Sequence, residues 1–336
     1  MNESNKEQIL MPDLFGKKIL ITGGLGFIGS NLAHKCLALG AEVTIYDCLD
    51  PRSGGNLQNI FEIENNIQIV LNDIRNFESV FANIRNKDII FSCAAYTSHP
   101  NSMKEPLIDI DVNCKGVINL LEAARRFNPE AKIVHVGTST QTGKMLHAII
   151  DELHPEFPVD IYSANKSVSE KYVLIYGTSY NMRTTVLRLV NVFGPRSNIK
   201  SSDFGFINYF VGLALQNKEL TIYGEGTQLR SLVYVEDAVN ALIMAANSEK
   251  SNGEVFFVAN DSQCDVSTLA RSITTNIGGS VKYIPWPKER QVIEIGDAVV
   301  SNKKIKNILE WQPKTGMDMG FVKTKEYYSS KLKYYL

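Results

Sequence analysis

The chain has 336 residues, more than one hydrophobic core usually serves, so either one large α/β unit or a main domain with a smaller companion is expected. With 44% hydrophobic and 21% charged residues and a formal net charge of -1, it has a globular balance and no electrostatic reason to bind nucleic acid or an acidic membrane. Its five cysteines are odd in number and contain no C-x-x-C pair, which argues against a disulfide framework or a zinc site, and no metal is expected.

The start, Met1 to Glu7, is polar and lacks the apolar core of a secretory signal. No later stretch approaches the ~20 apolar residues of a membrane span, so a cytoplasmic protein is expected. Lys18 to Thr22 is a short β-branched run that breaks at Gly23-Gly24, as a buried parallel strand entering a turn does. Runs of the same kind follow at Glu42 to Asp47, Ile67 to Leu71, Asp88 to Ser92, Lys132 to Val136 and Thr184 to Leu189. Between them Phe27 to Leu39 and Val112 to Phe127 carry helical periodicity, the second with Val117, Leu120, Leu121 and Ala124 on one stripe. This alternation predicts an α/β, doubly wound parallel sheet of the Rossmann type, covered on both faces, over residues 1–190. From residue 191 to 336 the regularity weakens and aromatics cluster at Phe193, Phe204, Phe206, Tyr209, Phe210 and Tyr223, predicting a smaller C-terminal substrate lobe. Val233 to Asn247 followed by Val255 to Val258 reads as helix then buried strand, so residues 232–260 are expected to return to the first sheet.

Gly23, Gly26 and Gly29 follow the first strand and open the first helix. One glycine serves a tight turn, one a close backbone approach to a pyrophosphate, and one the packing of helix on strand, while the amides of Phe27 and Ile28 face the phosphates. Asp47 closes the second strand roughly twenty residues further on, where a carboxylate accepts from a ribose 2′-hydroxyl and repels a 2′-phosphate, which selects NAD over NADP. The competing reading of Asp47 is a turn cap. Asp73-Ile74, after the third strand, is placed to hold an adenine edge, with Asp73 as an ordinary helix N-cap the alternative.

Tyr162-Ser163-Ala164-Asn165-Lys166 puts a phenol and an ammonium four residues apart, on one face of a helix. In a chain with 14 tyrosines a chance match is expected, and Tyr327 with Lys331 is a second one. Only Tyr162 follows a strand ending in hydroxyls, Thr138-Ser139-Thr140, at the sheet edge where ligands of such folds bind. A nearby ammonium and a cationic nicotinamide would favour the phenolate, against the opposing effect of desolvation.

Together with Asn72-Asp73-Ile74-Arg75, Cys93-Ala94-Ala95, Asp111-Val112-Asn113 ahead of Gly116, and Leu187 to Pro195, these motifs resemble the extended short-chain dehydrogenase/reductases, specifically the sugar-nucleotide epimerases and dehydratases. The resemblance runs from Lys17 to the tail. It implies that Thr138 hydrogen-bonds the reacting sugar oxygen, Tyr162 is the acid/base, and Lys166 binds nicotinamide ribose and tunes Tyr162. It further implies cofactor contacts at Ala94 and Ala95, structural support from Asn113, substrate contacts at Asn191 and Tyr223, diphosphate contacts at Arg230 and Arg290, and a homodimer. Two guanidinium forks suit two phosphates in a chain with no overall positive charge.

Ser139-Thr140 stand where the 4,6-dehydratases of that family carry Asp-Glu, and Ser231 and Ser301 replace frequent acids. Without a carboxylate pair the expected reaction is epimerisation, at C4 of a UDP-hexose, through transient oxidation by NAD. The alternatives are a dehydratase with a base from His99 or Glu152, a net dehydrogenase or a decarboxylase, and, from a different class, a non-catalytic NAD-binding sensor or scaffold.

Overall fold

The computed structural model describes residues 11–288 and 294–336. Its strands are β1 (Lys18–Thr22), β2 (Glu42–Asp47), β3 (Gln68–Leu71), β4 (Ile89–Ser92), β5 (Lys132–Thr138), β6 (Thr184–Leu189), β7 (Asn191–Phe193), β8 (Glu219–Tyr223), β9 (Leu229–Tyr234), β10 (Val255–Val258), β11 (Gln263–Asp265) and β12 (Ser280–Ile284). Seven of them form a parallel sheet in the order β10-β6-β5-β4-β1-β2-β3, the Rossmann-type arrangement. β10 lies beside β6 at one edge of that sheet, with Val255 opposite Val186.

The helices are α1 (Phe27–Ala38), α2 (Phe77–Ile84), α3 (His99–Lys104), α4 (Pro106–Ile110), α5 (Gly116–Phe127), α6 (Ile161–Tyr180), α7 (Phe206–Leu215), α8 (Val235–Ala246) and α9 (Val266–Asn276), followed by Lys303–Leu309 and Met317–Ser329. Period-two alternation sorts the strand side chains to two faces. Ile19, Ile21, Phe91, Val134 and Leu187 join a core with α1 and α8, whereas Leu20, Ile90, Ile133 and Val186 join one with α2, α5 and α6. Both faces are therefore covered, which is why these strands are almost wholly apolar.

The helix read at Val112 to Phe127 differs at its start. Asp111–Lys115 form a π-helical turn, and regular α-helix begins at Gly116. A Cβ at Gly116 would lie 2.6 Å from Ile74 Cγ2, so the helix and the loop after β3 touch through a residue with no side chain.

Beyond β6 the smaller part of the chain holds a three-stranded sheet, β11-β9-β7, and a parallel pair, β12-β8. Phe193, Phe210, Trp311 and Phe321 belong to the same continuous core as α1 and α8, so the second part is welded to the first sheet rather than hinged on a thin contact. Among the described residues no helix is long and apolar enough to cross a membrane.

A buried polar cluster ties β6 to α6. Arg188 on β6 donates from Nε to Glu170 Oε2 (2.8 Å) and from a terminal nitrogen to Glu170 Oε1 (2.6 Å) and Glu156 Oε1 (2.6 Å), the Arg188 and Glu170 side chains being almost fully buried. Breaking a buried pair leaves an uncompensated charge, which costs about 3–5 kcal/mol. Glu170→Gln should lower stability toward the smaller end of that range, because Glu156 still faces Arg188. Urea unfolding midpoints check this, and a loss under about 1 kcal/mol would show that the cluster contributes little.

Candidate active site

Where β1 and β4 run side by side and the crossovers leave in opposite directions, a cleft opens at the carboxyl ends of the strands. Its volume is about 400 Å³, and its walls include Gly23, Gly26, Phe27, Ile28, Gly29, Asp47, Asp73, Ile74, Ala94, Ala95, Thr138, Tyr162, Lys166, Asn191 and Arg230. Residues read from eight separated stretches of sequence thus meet in one space. Tyr223 is not among the walls; it packs on Trp286 with ring centroids 5.5 Å apart. Arg290 lies outside the described residues.

The glycine turn is built by close backbone approach. Gly23 has φ +68°, and a Cβ on it would lie 2.8 Å from the Ala94 backbone. A Cβ on Gly29 would lie 2.3 Å from the Gly23 carbonyl oxygen, so the first turn of α1 rests directly on the end of β1. At Gly26 the nearest atom to such a Cβ is that same oxygen at 3.2 Å, leaving the face of the turn open. No side chain caps α1 and its first turn holds no acid, so its free amides present an uncompensated positive end to an anion. These features fit the pyrophosphate of a dinucleotide.

Asp47 sits at the end of β2, accepting from the Leu25 amide (Oδ2, 3.0 Å) and the Leu49 amide (Oδ1, 2.8 Å). Burial pushes its carboxyl up, and the amides of Leu49, Leu25 and Cys48 oppose the shift. It therefore braces the glycine turn while lining the cleft. Asp73 is no helix cap: Asn76 caps α2, and Asp73 is paired with Arg75 (2.6 Å), whose hydrogen bond, though opposed by burial, draws its carboxyl below the usual range.

Tyr162 and Lys166 lie one turn apart on α6, both buried. Burial holds the Tyr162 phenol well above its ordinary range, Asp109 and Asp160 add to this, and a hydrogen bond with Thr138 opposes it. Lys166 is not among the groups that shift the phenol. Lys166 Nζ instead donates to the Val136 carbonyl (2.6 Å) and to His135 Nε2 (3.1 Å), and burial pushes its pKa down to about 8. Because His135 accepts at Nε2, its proton is on Nδ1, which faces Ser92 Oγ at 3.0 Å, and burial keeps the ring neutral.

Sequence reasoning missed His135. Its only signal was a histidine inside the apolar run Lys132 to Val136. It also missed Thr22, whose Oγ1 accepts from the amides of Cys93 and Ala94 (both 3.2 Å) and pins the loop after β4. Asn113 has a bracing position: it exchanges two hydrogen bonds with the Tyr96 backbone (3.0 and 2.9 Å) and donates to Asp109, which also accepts from Asn165 on α6 (2.7 Å).

Past β5 the hydroxyls form a chain: Thr138 Oγ1 is 3.1 Å from Thr140 Oγ1, to which Ser163 donates at 2.9 Å. Across the cleft Arg230 is engaged by the Gly296 carbonyl (2.6 Å) and by Glu294 (2.9 Å). Asn191 donates to the Ser231 carbonyl (3.2 Å), and Ser231 Oγ accepts from the Val300 amide (3.1 Å), binding β9 to the segment that carries Glu294. Glu152 is turned away from the cleft and accepts from the Phe257 amide on β10 (2.8 Å).

A doubly wound sheet with a glycine turn at its switch point and a Tyr-Lys pair in the same cleft defines a dinucleotide-binding enzyme of the α/β class. The chain belongs to the NAD dependent epimerase/dehydratase family, whose model matches residues 19–259. NAD is accordingly its cofactor. It is 31% identical over 305 residues to a putative UDP-glucose 4-epimerase of Methanocaldococcus jannaschii, covering 90% of this chain and 95% of that one. It is 29% identical over 325 residues to UDP-glucuronic acid decarboxylase 1 of Xenopus tropicalis, covering 95% and 73%. Its fold matches UDP-glucose 4-epimerase from Thermotoga maritima, solved with UDP-glucose, with a TM-score of 0.85, 27% identity, and coverage of 94% and 99%.

Lys166 provides a stability test with a definite sign. An unfolded lysine titrates near 10.4, whereas this one titrates at about 8 in the folded chain. Below about pH 8 the native state carries a buried charge and the full penalty, on the order of 3 kcal/mol; between there and about pH 10 the penalty fades as the unfolded state also loses its proton. Cofactor-free Lys166→Met should therefore gain stability relative to wild type near neutral pH, by less than that figure because Val136 and His135 lose a donor. The relative gain should shrink as pH rises toward about 10, and thermal melts of both chains across that range check it.

Proposed function

We propose that this chain is an NAD-dependent epimerase acting at C4 of a nucleotide-activated hexose, a UDP-hexose first among them, through a transient ketone. The observation that carries the reading is the composition of the cleft around Tyr162: Thr138, Tyr162 and Lys166 converge there, while Ser139 and Thr140 supply hydroxyls where elimination needs carboxylates. Asp47 accepts from the adenosine ribose 2′-hydroxyl, the amides of Phe27 and Ile28 meet the pyrophosphate, Asp73 and Ile74 flank the adenine, and Ala94 and Ala95 floor the cofactor half. When bound, NAD accepts a hydride from the sugar and returns it. Thr138 holds the reacting oxygen, Tyr162 takes its proton and gives it back, and Lys166 holds the nicotinamide ribose. Because burial favours the neutral phenol, the positive charge that makes Tyr162 a base has to come from Lys166 together with the cationic nicotinamide.

Asn191 and Arg230 form the nucleotide-sugar half of the site in this reading, with Arg230 exchanging Glu294 for a diphosphate oxygen. Two copies of the chain pair through the outer faces of α4 and α6, where Leu107, Ile110, Val168 and Ile175 are exposed to solvent in the single chain.

Tyr162→Phe should retain NAD affinity and lose turnover by on the order of 10² or more, as loss of a positioned acid/base does. Tyr327→Phe should leave turnover unchanged, since that hydroxyl meets Tyr335 in the C-terminal aromatic cluster. Steady-state kinetics of the two variants decide which Tyr-Lys pair is the chemical one.

The reaction type follows from a panel of UDP-, dTDP-, GDP- and CDP-hexoses analysed by mass spectrometry and proton NMR. The expected product is an isomer of unchanged mass formed without net consumption of NAD. A product lighter by one water would instead indicate a dehydratase, and NADH accumulating with a stable keto-sugar a net dehydrogenase.

A further inference from the structure

A second acid–base pair stands beside Tyr162. His99, the first residue of α3, lines the cleft and places its ring edge-to-face on that of Tyr162, with centroids 4.8 Å apart and planes at 77°. Its Nδ1 lies 2.8 Å from Asp160 Oδ2. Asp160 is itself fixed, because it caps α6 and its other oxygen accepts from the Ser163 amide at 2.8 Å. An ionised carboxylate only accepts, so Nδ1 carries a proton, and in the neutral ring Nε2 keeps a lone pair, for which there is no hydrogen-bond partner among the described residues. With 42% of its side chain exposed, the imidazole is reachable by a ligand in the cleft. A carboxylate holding the tautomer and orientation of an imidazole is the arrangement that prepares a histidine for proton transfer.

We propose that His99, oriented by Asp160, is a second acid–base residue of this site and exchanges a proton at a sugar carbon adjacent to the transient ketone. The inference rests on the keto-sugar reading of the preceding subsection. A C–H bond beside a ketone is acidic because its electron pair can move onto the carbonyl oxygen. His99 Nε2 takes that proton, the C–H pair becomes the carbon–carbon double bond of an enolate, and the carbonyl pair goes to oxygen, where Thr138 and Tyr162 donate. Asp160 balances the imidazolium charge. The enolate then takes a proton back at the same carbon from the imidazolium, restoring the ketone and a neutral ring, with no oxidant or reductant consumed. Because the same imidazolium returns it, the proton comes back to the face it left, so the step exchanges that hydrogen with solvent at a carbon next to the oxidised one. Ser139 and Thr140 cannot serve here, being poor bases near neutral pH. Glu152 is committed to β10.

The test is carried out on the NAD-loaded enzyme in deuterium oxide with the hexose panel, measuring two quantities on the same sample. Nicotinamide absorbance reports hydride transferred, and NMR with mass spectrometry reports deuterium bound to sugar carbon. Wild type should place deuterium at a carbon flanking the oxidised one. In His99→Asn the deuterium gained per hydride transferred should fall by on the order of 10² or more. Asp160→Asn, which keeps an N-cap but loses the carboxylate, should lower the same ratio less steeply. Asp203→Asn, removing another carboxylate of the cleft, should not move it. An independent reading without substrate is the ¹⁵N spectrum of His99, which should show the Nδ1–H tautomer. Hydride transfer with no carbon-bound deuterium in wild type, an unchanged ratio in His99→Asn, a ratio abolished by Asp203→Asn instead, or a ring protonated on Nε2 would each overturn the assignment and leave the proposed oxidation standing. No hydride transfer with any sugar would overturn both.

Discussion

The close approach of α1 to the end of β1 is the constraint on which this site depends. Gly29 lets the first turn of the helix sit against the Gly23 carbonyl at a distance no side chain permits, and Gly23 likewise lets the Ala94 backbone come too near for a side chain. Once that contact is made, the positive end of α1 is aimed along the cleft, and the loops around it have one place to go. The Leu25 carbonyl receives the Asn56 amide (3.0 Å) and the Asn59 side chain (2.9 Å), while the Leu25 amide is held by Asp47. Even the C-terminus joins this lattice, because Tyr335 donates to Asn59 at 2.6 Å. Residues from β2, from the loop after it and from the C-terminal segment therefore brace one turn of about seven residues.

Beneath Tyr162 the structure accepts instability for the sake of position. Lys166 is buried with two neutral acceptors, Val136 and His135, and no carboxylate bonded to it; Asp109 keeps one carboxylate oxygen with no partner among the described residues. Both groups have pKa values displaced by burial toward the neutral form, down for Lys166 and up for Asp109. Such groups are costly to a fold and are retained where a function needs them. Asn113 and Asn165 join the π-helical turn to α6 through Asp109, so α6 is fixed by polar bonds as well as by packing.

The opposite wall solves a different electrostatic problem. With a net charge of -1 the chain as a whole has no attraction for a polyanion, so recognition of one has to be local. In the proposed reading Arg230 supplies that charge, and in the structure it is paired with Glu294. This pairing keeps a largely desolvated guanidinium satisfied, and under the proposed function it sets a specificity condition, since the ligand must offer acceptors good enough to replace a carboxylate and a backbone carbonyl.

The sheet, its first helix and the cofactor end of the cleft were legible from sequence because they rest on local rules. Short apolar β-branched runs, glycines three apart, and an acid closing β2 each act within a few positions of themselves. Hence β6 and β10 coincide with the runs read at Thr184 to Leu189 and Val255 to Val258. The π-helical turn at Asp111–Lys115 was hidden, because its cause is the bonding of Asn113 to Tyr96 and Asp109, not the apolar stripe that followed. Asp73 read as a cap or an adenine contact because its partner Arg75, two residues on, competes on equal terms with the backbone. The placing of Tyr223 against Trp286, of Glu294 on Arg230, of His135 under Lys166 and of His99 on Asp160 was decided only by tertiary structure. These pairs are 63, 64, 31 and 61 residues apart, and no periodicity extends so far. Sequence determined which chemistry the chain carries; the packing of distant segments determined which of those groups are charged, which are satisfied, and which face the cleft, because burial and neighbouring charge exist only once the chain has folded.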